Sequence, residues 1–254
     1  MTSFSRRYLE RDRAESFGSL ALQYDRFRPS FPEALIDRLA AVRPADVLDV
    51  GCGTGKVAAA LRRRGIEVLG VELDPRMAEV ARGKGITVEV AGFEDWDDAG
   101  RRFDLIVSGD AWHWIDPAKG MRRATELLRS GGTIARFWSF HELDAQVLRA
   151  FEPVYREHAP GAHMGGNIPK STEEAVDPFA GNDAFTAVES MAYHWELTLT
   201  SDEWVGLVST FSDHLRLADA DRDALLRGLH QVIEGLGGAV RTKSTTFVQT
   251  ARRA

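Results

Sequence analysis

Cysteine, excess positive charge and long apolar runs are all scarce in this sequence. Cys52 is the one cysteine among 254 residues, which excludes an intrachain disulfide and a cysteine-rich metal cluster, and we predict no metal site. The 38 acidic residues outnumber the 32 basic ones, and the net charge of −6 argues against nucleic acid or an anionic membrane as a partner. No apolar window approaches a membrane-spanning length, and Met1–Arg13 lacks the apolar core of a signal peptide. We therefore expect a cytoplasmic protein that acts on a small molecule.

The sequence does contain an alternation of short β-rich runs and helical patterns. Between Asp46 and Trp138 this alternation is typical of an α/β fold, in which a parallel sheet has helices on both faces. Residues 140–182 hold one predicted helix and then a loop-rich stretch, which is typical of a lid or a binding insertion. The predicted strands are Asp46–Val50, Glu67–Val71, Thr87–Val90, Phe103–Ser108, Thr133–Trp138, Thr186–Leu197 and Arg241–Thr250.

A glycine-rich loop, Gly51-Cys52-Gly53-Thr54-Gly55, follows the first predicted strand and precedes a helix. Glycines allow a sharp turn and a close approach of the backbone to a ligand. A phosphate-binding P-loop is excluded, because it would need glycine at Val50 and serine or threonine at Val57. A dinucleotide fingerprint is weakened, because its third glycine would fall at Lys56. The spacing that remains is Gly-x-Gly-x-Gly.

Two acids stand at the ends of the first two predicted strands. Asp49 precedes the glycine loop. A carboxylate at this position can accept hydrogen bonds from the ammonium group of a zwitterionic methionine tail. Glu72 lies about twenty residues after the loop, at the position where acids recognise ribose hydroxyls. Asp74 is interpreted as the N-cap of a helix that begins at Pro75. The competing interpretation of Glu72 is an ordinary surface acid.

These segments resemble the opening motifs of class I S-adenosylmethionine-dependent methyltransferases. The resemblance rests on VLDVGCGTGKVAAAL and VLGVELDPRM, and it continues in FDLIVSGDAWHWID and LLRSGGTIARF, which are similar to the type-11, trans-aconitate methyltransferase-like subgroup. It covers residues 21–252. The resemblance implies a Rossmann-like fold with a seven-stranded, mostly parallel sheet whose last strand is antiparallel.

The resemblance also implies where the cofactor binds. Phe93 would offer an apolar surface to adenine, and Glu94 or Asp95 would accept from its amino group; the alternative is that Phe93 is core and the acids cap a turn. Tyr24 and Arg28 would lie over the methionine end, where the guanidinium pairs with the cofactor carboxylate. The full set of predicted cofactor residues is Tyr24, Arg28, Asp49, Gly51, Cys52, Gly53, Gly55, Glu72, Leu73, Phe93, Glu94, Asp110 and Trp112.

Two histidines are candidate general bases. His113 lies in the segment Asp110–Trp114 at the carboxyl end of the fourth predicted strand, the edge at which open α/β sheets bind ligands. We favour cofactor or loop positioning for His113, and the alternative is that this segment packs in the core. His141, just beyond the fifth predicted strand, is the second candidate.

We predict a single domain over residues 1–254. Residues 1–31 form an N-terminal cap segment, 32–139 the cofactor-binding half, 140–185 a lid or substrate insertion, and 186–254 the rest of the sheet. The predicted activity is methyl transfer by in-line displacement from S-adenosylmethionine to a carboxylate or hydroxyl oxygen of a small molecule, with S-adenosylhomocysteine as the product. The alternatives are a non-catalytic S-adenosylmethionine-binding protein and a nicotinamide-dependent oxidoreductase.

Overall fold

A seven-stranded sheet organises the part of the chain that the computed structural model describes, residues 8–9, 16–162, 164, 179 and 182–254. The order is β3-β2-β1-β4-β5-β7-β6. The first five strands are parallel, and β7 is antiparallel to both β5 and β6. The strands are β1 (Val47–Val50), β2 (Val68–Glu72), β3 (Thr87–Val90), β4 (Phe103–Gly109), β5 (Leu128–Leu143), β6 (Phe185–Thr200) and β7 (Ala239–Arg253). The predicted Rossmann-like sheet with an antiparallel last strand is confirmed.

The helices cover both faces of this sheet. The described helices are α1 (Ala21–Phe27), α2 (Glu33–Ala41), α3 (Lys56–Arg62), α4 (Pro75–Gly83), α5 (Pro117–Leu127), α6 (Ala145–His158), α7 (Ser201–Ser209) and α8 (Asp219–Gly235). Apolar residues of β1 alternate between the two faces: Val47 packs with α2, α3 and α4, whereas Leu48 packs with α5. A third cluster joins α6, α7 and α8 beyond the parallel part of the sheet.

Local sequence signals explain where α4 and α5 begin. Pro75 and Pro117 occupy their first turns, where a missing N–H costs nothing. Asp74 accepts a hydrogen bond from the Arg76 N–H at 2.8 Å, so its predicted role as an N-cap is confirmed. Asp116 caps α5 in the same way. The starts of both helices are therefore fixed next to the ends of β2 and β4.

The three strands β5, β6 and β7 are longer than the sequence predicts. β5 begins at Leu128 and continues to Leu143, past the end of its parallel neighbour β4, because residues 133–143 pair with β7. Residues 140–143 and Phe185 of the predicted insertion therefore belong to the sheet, and α6 packs against α8. Residues 163, 165–178 and 180–181 of the predicted insertion lie outside the described residues.

Candidate active site

The glycine loop leaves β1 in a conformation that favours glycine. Gly51, Gly53 and Gly55 all have positive φ, at 65°, 55° and 76°. A Cβ on Gly51 would lie 2.6 Å from the Cβ of Ala111, in the segment after β4. The loop therefore packs directly against the exit of β4, which brings the ends of β1 and β4 together at the carboxyl edge of the sheet.

Asp49 is buried at this edge with an unsatisfied oxygen. Its side chain is 1% exposed, and its Oδ2 atom has no hydrogen-bond partner. Burial raises the pKa of Asp49 to about 7, against a smaller lowering effect of the Ala58 N–H. An unpaired buried carboxylate oxygen is costly unless a ligand satisfies it. The ammonium group of a methionine tail fits this requirement.

Glu72 ties the glycine loop to the end of β2. Its Oε2 accepts from the Gly53 N–H at 2.7 Å, and its Oε1 accepts from the Asp74 N–H at 2.9 Å. Burial is the main cause that raises the pKa of Glu72. Since each carboxylate oxygen has two lone pairs, the group can hold these amides and still accept from a ribose. The ribose contact stays a prediction, and the structure adds a second role, the positioning of Gly53.

A small cavity opens beside the glycine loop. Its volume is about 40 Å³, which is room for water-sized molecules. The N-terminal segment forms one wall and the ends of β1, β4 and β5 form the other. The lining residues are Tyr24, Arg28, Pro29, Ser30, Phe31, Asp49, Gly51, Cys52, Gly53, Thr54, Lys56, Val57, Gly109, Asp110, Ser139 and His141. The N-terminal segment lies closed over the site in this structure.

Two lysines hold α1 against the glycine loop. Lys84, at the end of α4, forms an ion pair with Asp25 and donates to the Thr54 carbonyl at 2.9 Å. Lys56, at the start of α3, donates to the Asp25 carbonyl at 2.7 Å. These contacts hold α1 against the same loop whose glycines line the cavity.

Arg28 contributes a guanidinium group to the cavity wall. Its Nε donates to the Thr210 hydroxyl at 2.8 Å and one Nη to the Thr210 carbonyl at 3.0 Å. The guanidinium carbon also lies 5.2 Å from the Tyr24 ring centre and 4.8 Å from that of Phe211. Arg28 is thus held by α1 and by the end of α7, and a guanidinium has further N–H groups with which to bind a ligand carboxylate.

Asp110 and His141 face this guanidinium from the sheet. Asp110 has a φ of 54°, and its Oδ1 accepts from the Ser139 N–H at 2.9 Å. Burial raises the pKa of Asp110 to about 6, although the charge of Arg28 acts in the opposite direction. His141 is 7% exposed, and burial, together with Arg28, lowers its pKa to about 4. His141 is therefore neutral at physiological pH.

The structure separates the two histidines predicted as bases. His141 lines the cavity, whereas His113 does not; its ring lies 4.8 Å from that of Trp114. Trp112 is buried with its ring 6.0 Å from Phe93, and both belong to the core cluster that includes α5. Glu94 accepts from the Asp116 N–H at 2.9 Å at the start of α5. These contacts match the alternative interpretation of the segment as packing and capping, and the cofactor contacts of Phe93, Glu94, Trp112 and Leu73 stay predictions.

Several residues of the site were not predicted. Ser139, Thr210 and Ser244 hold Asp110, Arg28 and His141 respectively. The alternation of hydroxyl residues along β7, at Thr242, Ser244 and Thr246, was a visible signal for a polar sheet face. Nothing in the sequence indicated that this face lies against His141.

The described residues contain neither a metal-binding group of side chains nor a membrane-spanning helix. Within the described ranges, no group of three or more histidine, cysteine or acidic side chains is arranged to hold a metal ion. No helix in the part of the chain that the structure describes combines the length and the apolar character needed to cross a bilayer.

Comparisons with known proteins agree with this geometry. A family model described as a methyltransferase domain matches residues 24–164, which contain all of the residues that line the cavity. An uncharacterized methyltransferase of Mycobacterium tuberculosis is 29% identical over 249 residues, which cover 94% of this chain and 96% of that protein. The chain is also similar to the trans-aconitate 2-methyltransferase of Mycolicibacterium gilvum, with 31% identity over 68% of this chain and 71% of the relative.

Two further similarities complete the comparison. The malonyl-[acyl-carrier protein] O-methyltransferase of Salmonella typhimurium is 28% identical over 74% of this chain and 75% of its own length. Among solved structures, a type II methyltransferase from Anaeromyxobacter dehalogenans superimposes with a TM-score of 0.63 at 20% identity, covering 89% of this chain and 98% of the other. This last similarity concerns the fold.

Proposed function

The chain belongs to the class I S-adenosylmethionine-dependent methyltransferases, and from that premise we propose that it methylates a carboxylate oxygen of a small molecule. The enzyme class and the methyl donor follow from the family, which replaces the nicotinamide-dependent alternative. What we propose is the acceptor and the role of each residue in the site.

Two residues of the cavity and one beside the glycine loop suit the methyl donor. Asp49 would accept its ammonium group, Arg28 would pair with its carboxylate, and Glu72 would accept from its ribose hydroxyls. Gly51 and Gly53 would let the backbone approach the methyl donor, because neither residue has a side chain. Their positive φ would strain any other residue at these positions. When bound, the donor supplies an electrophilic methyl group on a sulfonium. The chain contributes alignment and exclusion of water, which the closed N-terminal segment provides.

The bases that line the cavity favour an acceptor that is already ionised. Asp49, with a pKa of about 7, is assigned to the ammonium group of the donor, which leaves His141, with a pKa of about 4, and Asp110, with a pKa of about 6. Neither is strong enough to deprotonate a phenol, whose pKa is about 10, or an alcohol, which is weaker still. A carboxylate has no proton to lose at neutral pH. The burial of His141 in the cavity wall, where the residue is 7% exposed, is the observation that carries the proposal.

Two of the relatives carry names that fit a carboxylate acceptor. Trans-aconitate and malonyl groups both have free carboxylates, and the relatives named for them are 31% and 28% identical to this chain. The residues predicted as an N-terminal cap, Tyr24 and Arg28, lie within the part of the chain that the family model matches.

A screen with a labelled methyl donor tests the proposal. The purified protein is incubated with matched sets of small di- and tricarboxylates, alcohols, phenols and amines, and the transfer of label is measured. We expect label in the carboxylate set, in a product that releases methanol in mild base, as a methyl ester does. Label that is confined to base-stable ethers or amines would overturn the carboxylate assignment. Binding of the donor without transfer to any set would favour the non-catalytic alternative.

A further inference from the structure

A buried chain of polar side chains connects His141 to the interior of the sheet. The Nδ1 atom of His141 lies 2.9 Å from the Ser244 hydroxyl, which lies 3.1 Å from the hydroxyl of Thr242. The pairing of β5 with β7 sets these positions, since His141 stands opposite Ser244 and Leu143 opposite Thr242. Ser244 is 2% exposed and Thr242 is fully buried. This series of hydrogen-bonded side chains therefore has no access to bulk water at Thr242, its inner end.

The direction of these hydrogen bonds determines what His141 presents to the cavity. Each hydroxyl has one proton, and a neutral imidazole has one N–H. If Thr242 donates to Ser244, Ser244 donates to Nδ1 and the imidazole proton lies on Nε2. If the direction is reversed, Nδ1 donates to Ser244 and Nε2 has only a lone pair. A fixed direction thus makes His141 either a donor or an acceptor.

We propose that Ser244 is a positioning residue that holds His141 in the tautomer with its proton on Nε2, so that His141 donates to the carboxylate of the methyl acceptor. An ionised carboxylate can only accept hydrogen bonds. It therefore binds the tautomer with the proton on Nε2 and is repelled by the Nε2 lone pair of the other tautomer. Arg28, which also lines the cavity, is assigned to the carboxylate of the methyl donor, and this leaves His141 for the carboxylate of the acceptor. The inference rests on the proposed carboxylate acceptor.

This arrangement gives His141 a role without a proton transfer. The carboxylate oxygen forms a bond to the methyl carbon as the bond from that carbon to sulfur breaks, and the electron pair of the broken bond stays on sulfur. His141 keeps its proton throughout and orients the oxygen. The edge-on ring of Trp195, 5.6 Å from that of His141, and the Ser244 hydroxyl restrict the rotation of the imidazole.

Substitutions of Ser244 test the role of the hydroxyl in recognition. In S244A we expect the KM of the carboxylate acceptor to increase about tenfold, with kcat within about twofold and with unchanged affinity for S-adenosylhomocysteine, because one hydrogen bond that fixes the tautomer is lost. S244T retains a hydroxyl and should restore the KM. The control is T245V on the same strand, whose hydroxyl contacts His194 and lies on the other face. A normal KM in S244A would overturn the proposal.

The tautomer is measured directly from the 15N shifts of the imidazole rings. Spectra of the complex with S-adenosylhomocysteine, compared with those of H141N, assign the His141 signals. We expect the proton on Nε2 in the wild-type protein and a mixture of tautomers in S244A. Because this spectrum needs no acceptor and can be recorded on the wild-type protein alone, it decides the tautomer even if S244A does not fold.

The two experiments separate the two possible failures. If a carboxylate is methylated but the His141 proton lies on Nδ1, the inference about Ser244 is wrong and the proposed function stands. If the proton lies on Nε2 but only base-stable products form, the carboxylate assignment is wrong, and with it the recognition role of His141.

Discussion

Asp49 combines burial, an unsatisfied oxygen and a pKa near neutrality. Only the ionised carboxylate attracts an ammonium group, so the affinity for S-adenosylmethionine should decrease as the pH falls below about 7, the pKa of Asp49. In D49N this dependence should disappear and binding should weaken by a factor of about 30 or more, since a buried charge pair is lost. Titration calorimetry between pH 5.5 and 7.5 measures both effects. An unchanged affinity in D49N would exclude the ammonium contact.

The same residue should make the ligand-free protein less stable at high pH. The pKa of Asp49 is raised from 3.8 to about 7, so the folded protein must ionise a buried group as the pH rises through this range, and stability is lost between about pH 4 and 7. D49N should therefore be more stable than the wild type at pH 8, by up to about 4 kcal/mol, with a gain that vanishes near pH 4. Urea unfolding of both proteins measures the difference. The control is D223N, an exposed acid on α8, for which no such gain is expected.

Among the elements, α1 is held to the glycine loop by ion pairs at the margin of the site. The Asp25 and Lys84 side chains are 26% and 29% exposed, so their contact is only partly screened by solvent. K84A should weaken the docking of α1 by about 1 kcal/mol and accelerate the dissociation of S-adenosylmethionine about fivefold. Stopped-flow release and hydrogen exchange of residues 21–28 check this result. R38A, which removes an exposed pair with Glu189, should change neither.

The elements also show how far the sequence predicts the structure. Strands β1 to β4 begin and end within about one residue of their predicted bounds, because each is a short apolar run between turn residues. The glycine loop, Asp49 and Glu72 follow from the same local signals. The extension of β5 to Leu143 does not, because it depends on pairing with β7, a strand about a hundred residues away in sequence. The contacts of His141 with Ser244 depend on that pairing too.

In the whole molecule, α1 lies between the cofactor-binding half and the helices that follow it. A Cβ at Gly206 in α7 would lie 2.5 Å from the Phe27 ring. G206A should therefore displace α1, with a loss of about 1–3 kcal/mol in unfolding free energy and weaker binding of the methyl donor. G235A in α8, where a Cβ meets nothing within 4 Å, is the matched control and should be as stable as the wild type or slightly more so. Equal stability of the two variants would contradict this packing.

The position of β7 in the sheet has a consequence for the synthesis of the chain. β7 is the last strand in sequence, yet it lies between β5 and β6 and pairs with both. Until residues 239–253 have left the ribosome, the 16-residue strand β5 has one unpaired edge and the 16-residue strand β6 has no strand partner, and such edges promote association between chains. The fifteen residues of β7 therefore determine when the polypeptide made before them is protected from aggregation.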